Sequence, residues 1–153
     1  MSNAGNQKRN IVRFKVTRSD GSVEEYTEYN TITNDGFELS SRLLGEGLGD
    51  DRLSHIAIGS DNTPKSPSDT TLGNELQRES ASVSLATTTV TNDTTQLQAT
   101  FNFSSNTTVE ETGVFNSATE GVLYARTVKG PISLGEGDNL QITWRIVNSE
   151  DTT

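Results

Sequence analysis

Apolar side chains in this chain recur mostly at every second position, the period of a strand with one face buried. Val12, Phe14 and Val16 alternate with Arg13, Lys15 and Thr17. After Asp20-Gly21, a strong hairpin-turn pair, the return run carries Val23, Glu25, Thr27 and Tyr29 on one side and Glu24, Tyr26 and Glu28 on the other. That much charge suits an exposed edge strand. Ala81, Val83 and Leu85 alternate with small residues, and Leu97, Ala99, Phe101 and Phe103 give the cleanest alternation of all. Runs at 109–115 and 122–128 follow, the second broken by Gly130-Pro131. Leu140, Ile142, Trp144 and Ile146 make the last strand.

One segment departs from period two. Asn34-Asp35-Gly36 reads as a helix start, with Asp35 as the cap and Glu38 completing a capping box. Phe37, Leu39, Leu43 and Leu44 then form an apolar stripe and Gly45 ends it, which places the helix at about 36–44. The stripe is expected to cover one end of a sheet. The rest of the chain is organised around residues 54–79. Ile56 and Ile58 point one way on a short strand and His55 and Ala57 the other, until the pattern stops at Gly59. Residues 60–70 are polar or structure-breaking and include Pro64 and Pro67. Leu72 and Leu76 restore apolar anchors, and a strand begins at Glu75. A buried strand, a long surface loop and a second strand are predicted in succession.

The fold class that follows is mainly β, an antiparallel β-sandwich with one short helix. A chain of 153 residues suits a single domain, placed at 11–148, between a flexible arm at 1–10 and a disordered tail at 149–153. Only 30% of the residues are apolar, so the core has to be thin and strand-built. A net charge of −9 turns away phosphate backbones and anionic lipid, and neither nucleic acid nor membrane is expected as a partner. Of twelve basic residues only Lys8, Lys15, Lys65 and Lys129 are lysines, and threonine is abundant. An acidic, lysine-poor surface stays hydrated in concentrated salt, where screening removes most self-repulsion. A halophilic source is expected.

Reactive chemistry is sparse. The chain has no cysteine, which excludes disulfides and thiolate metal sites. His55 is the sole histidine, and its place beside the loop reads as a surface or interface position. No nucleophile elbow, phosphate-binding loop or dinucleotide fingerprint is present, so no catalytic or cofactor-binding residue is assigned and no cofactor is expected. Asp50, Asp51, Asp61 and Asp69 could meet around a calcium ion, but their spacing is not that of an EF-hand, and dispersed solvated acids are the expected outcome. Glu110-Glu111 with Arg126 or Arg78 reads as a structural ion pair. Asn92, Asn102 and Asn106 each begin an Asn-x-Ser/Thr triplet that glycosylation could use. Tyr26, Tyr29 and Tyr124 are candidates for a sugar-stacking platform.

The order of the parts carries a resemblance. "HIAIGSDNTP", "SDTTLGNELQR", "ETGVFNSATEGVLYAR" and "DNLQITWRIV" follow the Asn-Asp-Gly helix start. Over residues 30–147 this resembles a module of tailed-virus structural proteins, notably the N-terminal part of phage tail-collar fibre proteins. Leu72, Glu75 and Arg78 match that family's loop return, and Glu111, Gly113 and Phe115 match its later strand. The resemblance implies a non-enzymatic virion protein, made in the host cytoplasm, that assembles with copies of itself and with tail, baseplate or major capsid proteins. Leu72, Glu75, Arg78, Glu111 and Phe115 become candidate interface residues. Because the chain stops at Thr153 without a shaft or tip, a stand-alone tail adaptor is expected, with capsid decoration as the alternative. A carbohydrate- or cell-surface-binding module is the reading from a different class.

Overall fold

The alternating residues gather into two antiparallel five-stranded sheets packed face to face. The structure is a computed structural model and describes residues 10–47 and 51–149. Apart from Asn10 and Ser149, the expected arm and tail lie outside the described residues. The first sheet contains β1 (Ile11–Thr17), β2 (Val23–Tyr29), β6 (Ser82–Ala86), β7 (Thr94–Asn102) and β10 (Asn139–Val147), in the order β2-β1-β10-β7-β6. The second contains β3 (Thr31–Ile32), β4 (His55–Gly59), β5 (Glu75–Ser80), β8 (Thr107–Phe115) and β9 (Leu123–Leu134), in the order β3-β9-β8-β4-β5. Val12, Phe14 and Val16 of β1, Leu97 and Phe101 of β7, and Leu140, Ile142 and Trp144 of β10 are buried against Ile56 and Ile58 of β4 and Val109 and Val114 of β8. This is the antiparallel β-sandwich with one short helix that the alternation predicts. Asn10 belongs to the fold and not to an arm. Its Oδ1 accepts from the Val147 N–H at 2.8 Å, and its carbonyl accepts from the Asn30 N–H and side-chain amide.

Three local expectations are corrected. Helix α1 spans Asn34–Glu46, wider than 36–44, and its cap is Thr33, whose Oγ1 accepts from the Gly36 N–H at 2.9 Å. Asp35 lies inside the first turn, where its charge favours the helix N-terminus without capping it. Gly45 is helical, and Gly47 in the left-handed conformation closes the helix by donating to Arg42 and Leu43. Of the apolar stripe, Leu39 is fully buried and Leu43 packs on the core, but Phe37 is exposed and Leu44 is 90% exposed. Secondly, β9 runs straight through Gly130-Pro131. The β8–β9 register jumps there from Val109↔Ile132 to Glu111↔Val128, so Pro131 sits in an irregularity where no ladder hydrogen bond is demanded of it. Thirdly, Val83 and Leu85 of β6 face the inner side but stay 50% and 63% exposed. At Ala81 the chain crosses from β5 in one sheet to β6 in the other, and β6 is left as an edge strand.

Candidate functional site

Residues 60–74, between β4 and β5, fold back over the outer face of the second sheet, and one carboxylate holds them there. Glu111 follows the bulge in β8, which puts it on that outer face beside Gly59, with no exposed surface. Its Oε1 accepts from the Gly73 N–H at 2.8 Å and from Arg126 Nε at 3.0 Å. Its Oε2 accepts from the N–H groups of Asn74 at 2.8 Å and Asp61 at 3.0 Å. Four donors therefore compensate the loss of water around a buried charge. A Cβ on Gly59 would stand 2.4 Å from Glu111 Oε2 and 2.4 Å from the Asn74 carbonyl oxygen, so the approach requires glycine.

Arg126, on β9, completes the centre. Its side chain is 3% exposed, and it lies 3.0 Å from Glu111, 3.2 Å from Asp69 and 3.6 Å from Asp61. It also donates to the carbonyls of Thr63 and Asp61. Two further ties run outward from the loop. Pro67 accepts from the Asn34 N–H at the start of α1, and the Lys65 ammonium reaches the Tyr29 carbonyl. Burial pushes the Lys65 pKa down, and the Glu28 charge partly offsets it. This arrangement can fix a loop. Every donor and acceptor named in it faces another group of the same chain.

Beside the charged centre lies a small apolar one. Leu72 seats on Ala57, Phe115 and Leu123, all buried. A Cβ on Gly113 would come within 2.9 Å of Leu72 Cδ2 and 2.7 Å of Leu123 Cδ1, so this glycine makes the socket. The Arg78 guanidinium stacks 3.6 Å above the Phe115 ring and donates to the carbonyls of Ser117 and Glu120. It also grips Glu75 bidentately, at 3.0 and 2.7 Å. Residues three apart on a regular strand point to opposite faces. The β4–β5 register skips a residue between Ile58↔Gln77 and Gly59↔Glu75, and this bulge brings Glu75 and Arg78 to the same side.

The five candidate interface residues thus come together, but inside the subunit. Leu72, Glu111 and Phe115 are buried, the Arg78 side chain is 9% exposed, and only Glu75 keeps a substantial outward surface. The expected ion pair of Glu111 with Arg126 is present, whereas Glu110 is not part of it. Asp61 and Asp69 do converge, around the Arg126 guanidinium, while Asp51 faces Arg42 at 3.9 Å and Asp50 lies outside the described residues. Among the described residues no three His, Asp or Glu side chains are placed to hold a metal ion. His55 sits half-buried at the start of β4, between the Ser54 and Ser80 hydroxyls.

The three tyrosines do not share a platform. Tyr26 is covered by the Lys129 ammonium at 4.5 Å and donates to Glu24, Tyr29 is half exposed, and Tyr124 is buried with its hydroxyl pKa raised by desolvation. Asn92, Asn102 and Asn106 are all exposed, at a turn, a strand end and a second turn. Separately, an open cleft of about 1070 Å³ lies between α1 and β6, lined by Leu43, Leu44, Leu53, Val83, Tyr124 and Ile146 among others. Among the described residues no helix is long and apolar enough to cross a membrane. Two features escape a reading of the sequence: Arg126 as the hub of three carboxylates, and the open face of β6. A trace of the first exists, because a lone Arg inside the strand run at 122–128 demands acidic company if buried. No protein family matches this sequence, and no characterised protein is similar enough to count as a relative.

Proposed function

We propose that this chain is a non-enzymatic structural protein of a tailed-virus particle, working as a homo-oligomer in the tail or baseplate to attach or join other particle proteins. The observation that carries the reading is the convergence of the family-like residues. Leu72, Glu75, Arg78, Glu111, Gly113 and Phe115 are spread over more than forty positions, yet they build one continuous clamp that fastens the loop at 60–74 to the second sheet. Their shared task in this fold is mechanical, as expected for motifs selected for shape and not for turnover. The Glu111 and Arg126 charges are spent on loop amides and carbonyls and on each other. The acidic surface fits a particle assembled in the cytoplasm of a salt-loving host.

The test is to purify particles on a density gradient, identify their polypeptides by mass spectrometry and image them. The expected result is this chain in repeated copies at the tail or baseplate. Density over the capsid shell would move it to head decoration. Particles without the chain overturn the reading.

A further inference from the structure

A self-assembling acidic subunit needs a face where its copies meet without repulsion. Between Glu79 and Glu110 the chain carries one charged residue, Asp93, and that carboxylate is taken up by the N–H groups of Thr88, Thr89 and Val90. The neutral stretch contains both β6 and β7, so these two strands carry no charged side chain of their own in a molecule of net charge −9. The strand edges differ accordingly. On β2, the opposite edge of that sheet, Glu24, Glu25 and Glu28 set like charges against any copy that pairs there. On β5, the neighbouring edge of the other sheet, exposed Glu79 sets a like charge against a second copy while Glu75 is already taken by Arg78, and β3 is only two residues long. β6 reads Ser-Val-Ser-Leu-Ala, with no charge, no proline and two apolar side chains largely in water.

From this contrast we infer that β6 is a seam at which two copies of this chain pair antiparallel across a twofold axis, joining their first sheets into one of ten strands. Self-pairing of this kind is isologous, so it closes and stops at two. Centred on Ser84, it sets Val83 opposite Leu85 of the second copy and Leu85 opposite its Val83, all on the face that carries the cleft. Four half-exposed apolar side chains would leave water together there. The occupant is a second copy because, among the strand edges of the described residues, this is the one of more than two residues that offers a subunit of charge −9 an approach without like charges. The inference deepens the self-assembly part of the reading above and does not depend on the particle.

Light scattering on the purified chain at high salt tests it. The expected mass is twice 16.5 kDa or an even multiple. Leu85→Lys, at an exposed position, should halve that mass while leaving the circular dichroism spectrum unchanged, and should remove the concentration dependence of the melting temperature that a dimer brings. Ser84→Cys, in a chain with no cysteine of its own, should be joined to its symmetry mate by a short bis-maleimide, and Glu25→Cys on the β2 edge should not. A monomeric wild-type chain at high micromolar concentration overturns the seam. So does an unchanged mass for Leu85→Lys, or linkage at Glu25→Cys in place of Ser84→Cys. A lost seam leaves the virion reading standing on another face, whereas particles lacking the chain leave the seam intact.

Discussion

At the scale of single residues, the fold depends on a carboxylate that never meets water. Removing Glu111 strands three backbone N–H groups and the Arg126 guanidinium in a buried site. Glu111→Ala should therefore cost about 3–5 kcal/mol, the usual consequence of breaking a buried pair from one side. Exposed Glu136→Ala should change stability by no more than about 0.5 kcal/mol. Urea unfolding followed by fluorescence reads both, since Trp144 is the sole tryptophan and fully buried. Because Arg126 already fills the space among Asp61, Asp69 and Glu111, neither calcium nor a chelator, compared at equal ionic strength, should move the wild-type melting temperature. Asp93 supplies a pH signature. Three N–H donors, Val90 foremost, hold its pKa well below the ordinary 3.8, with Thr94 adding a hydroxyl. A depressed folded-state pKa stabilises the fold fully above the ordinary value. That contribution falls as acid protonates the unfolded chain and is gone below the folded-state pKa. Asp93→Asn should thus flatten the acid limb of the stability profile and speed amide exchange at Thr88, Thr89 and Val90, measured by NMR.

At the scale of elements, the helix shows how far a sequence pattern can be trusted. Leu39 and Leu43 are a turn apart and meet the core, but Phe37 and Leu44 project away, because α1 is clamped at its start and cannot roll to bury both sides of the stripe. Thr33 sets the clamp: its N–H donates to the Tyr124 carbonyl and its hydroxyl to the Leu123 carbonyl. Leu39→Ala should cost about 2–5 kcal/mol and Leu44→Ala about 0.5 kcal/mol or less, by thermal unfolding monitored with circular dichroism. Strand periodicity made both sheets legible, since alternation is a local property and survives whatever the partner strand is. The same holds for the succession of strand, loop and strand at 54–79. What stayed hidden depends on non-local partners. Thr33 outranks Asp35 as cap only because β9 lies beside it, and Pro131 is tolerated only because β8 bulges opposite. Beyond its pair with Glu111, Arg126 gains its role as a hub from Asp61 and Asp69, some sixty residues upstream. For β6, alternation predicted an inward face correctly and could not say that Val83 and Leu85 would stay half exposed or more beside an open cleft.

At the scale of the whole molecule, charge decides how stability responds to salt. A net −9 on 153 residues repels itself most in the compact state, where the charges are closest. Salt shortens the screening length from about 10 Å at 0.1 M to about 3 Å at 1 M, which removes that repulsion. The same salt would weaken ion pairs, but the strongest ones here are sheltered. Arg126 and Glu111 lie out of contact with solvent, and Arg78 is nearly so. Pairs in water, such as Arg42 with Glu38 at 3.6 Å, contribute little at any ionic strength. Relief of repulsion therefore outweighs loss of attraction, and the melting temperature should climb with potassium chloride into the multimolar range. Chloride keeps the comparison apart from the general stabilisation that strongly excluded anions such as sulfate bring. Glu79→Gln with Glu136→Gln, both at exposed positions, should melt higher than the wild type at low salt and gain less on addition of salt. A melting temperature that is flat or falling with potassium chloride, or equal slopes for the two proteins, would separate the acidic surface from any role in stability and remove the physical ground for a high-salt host.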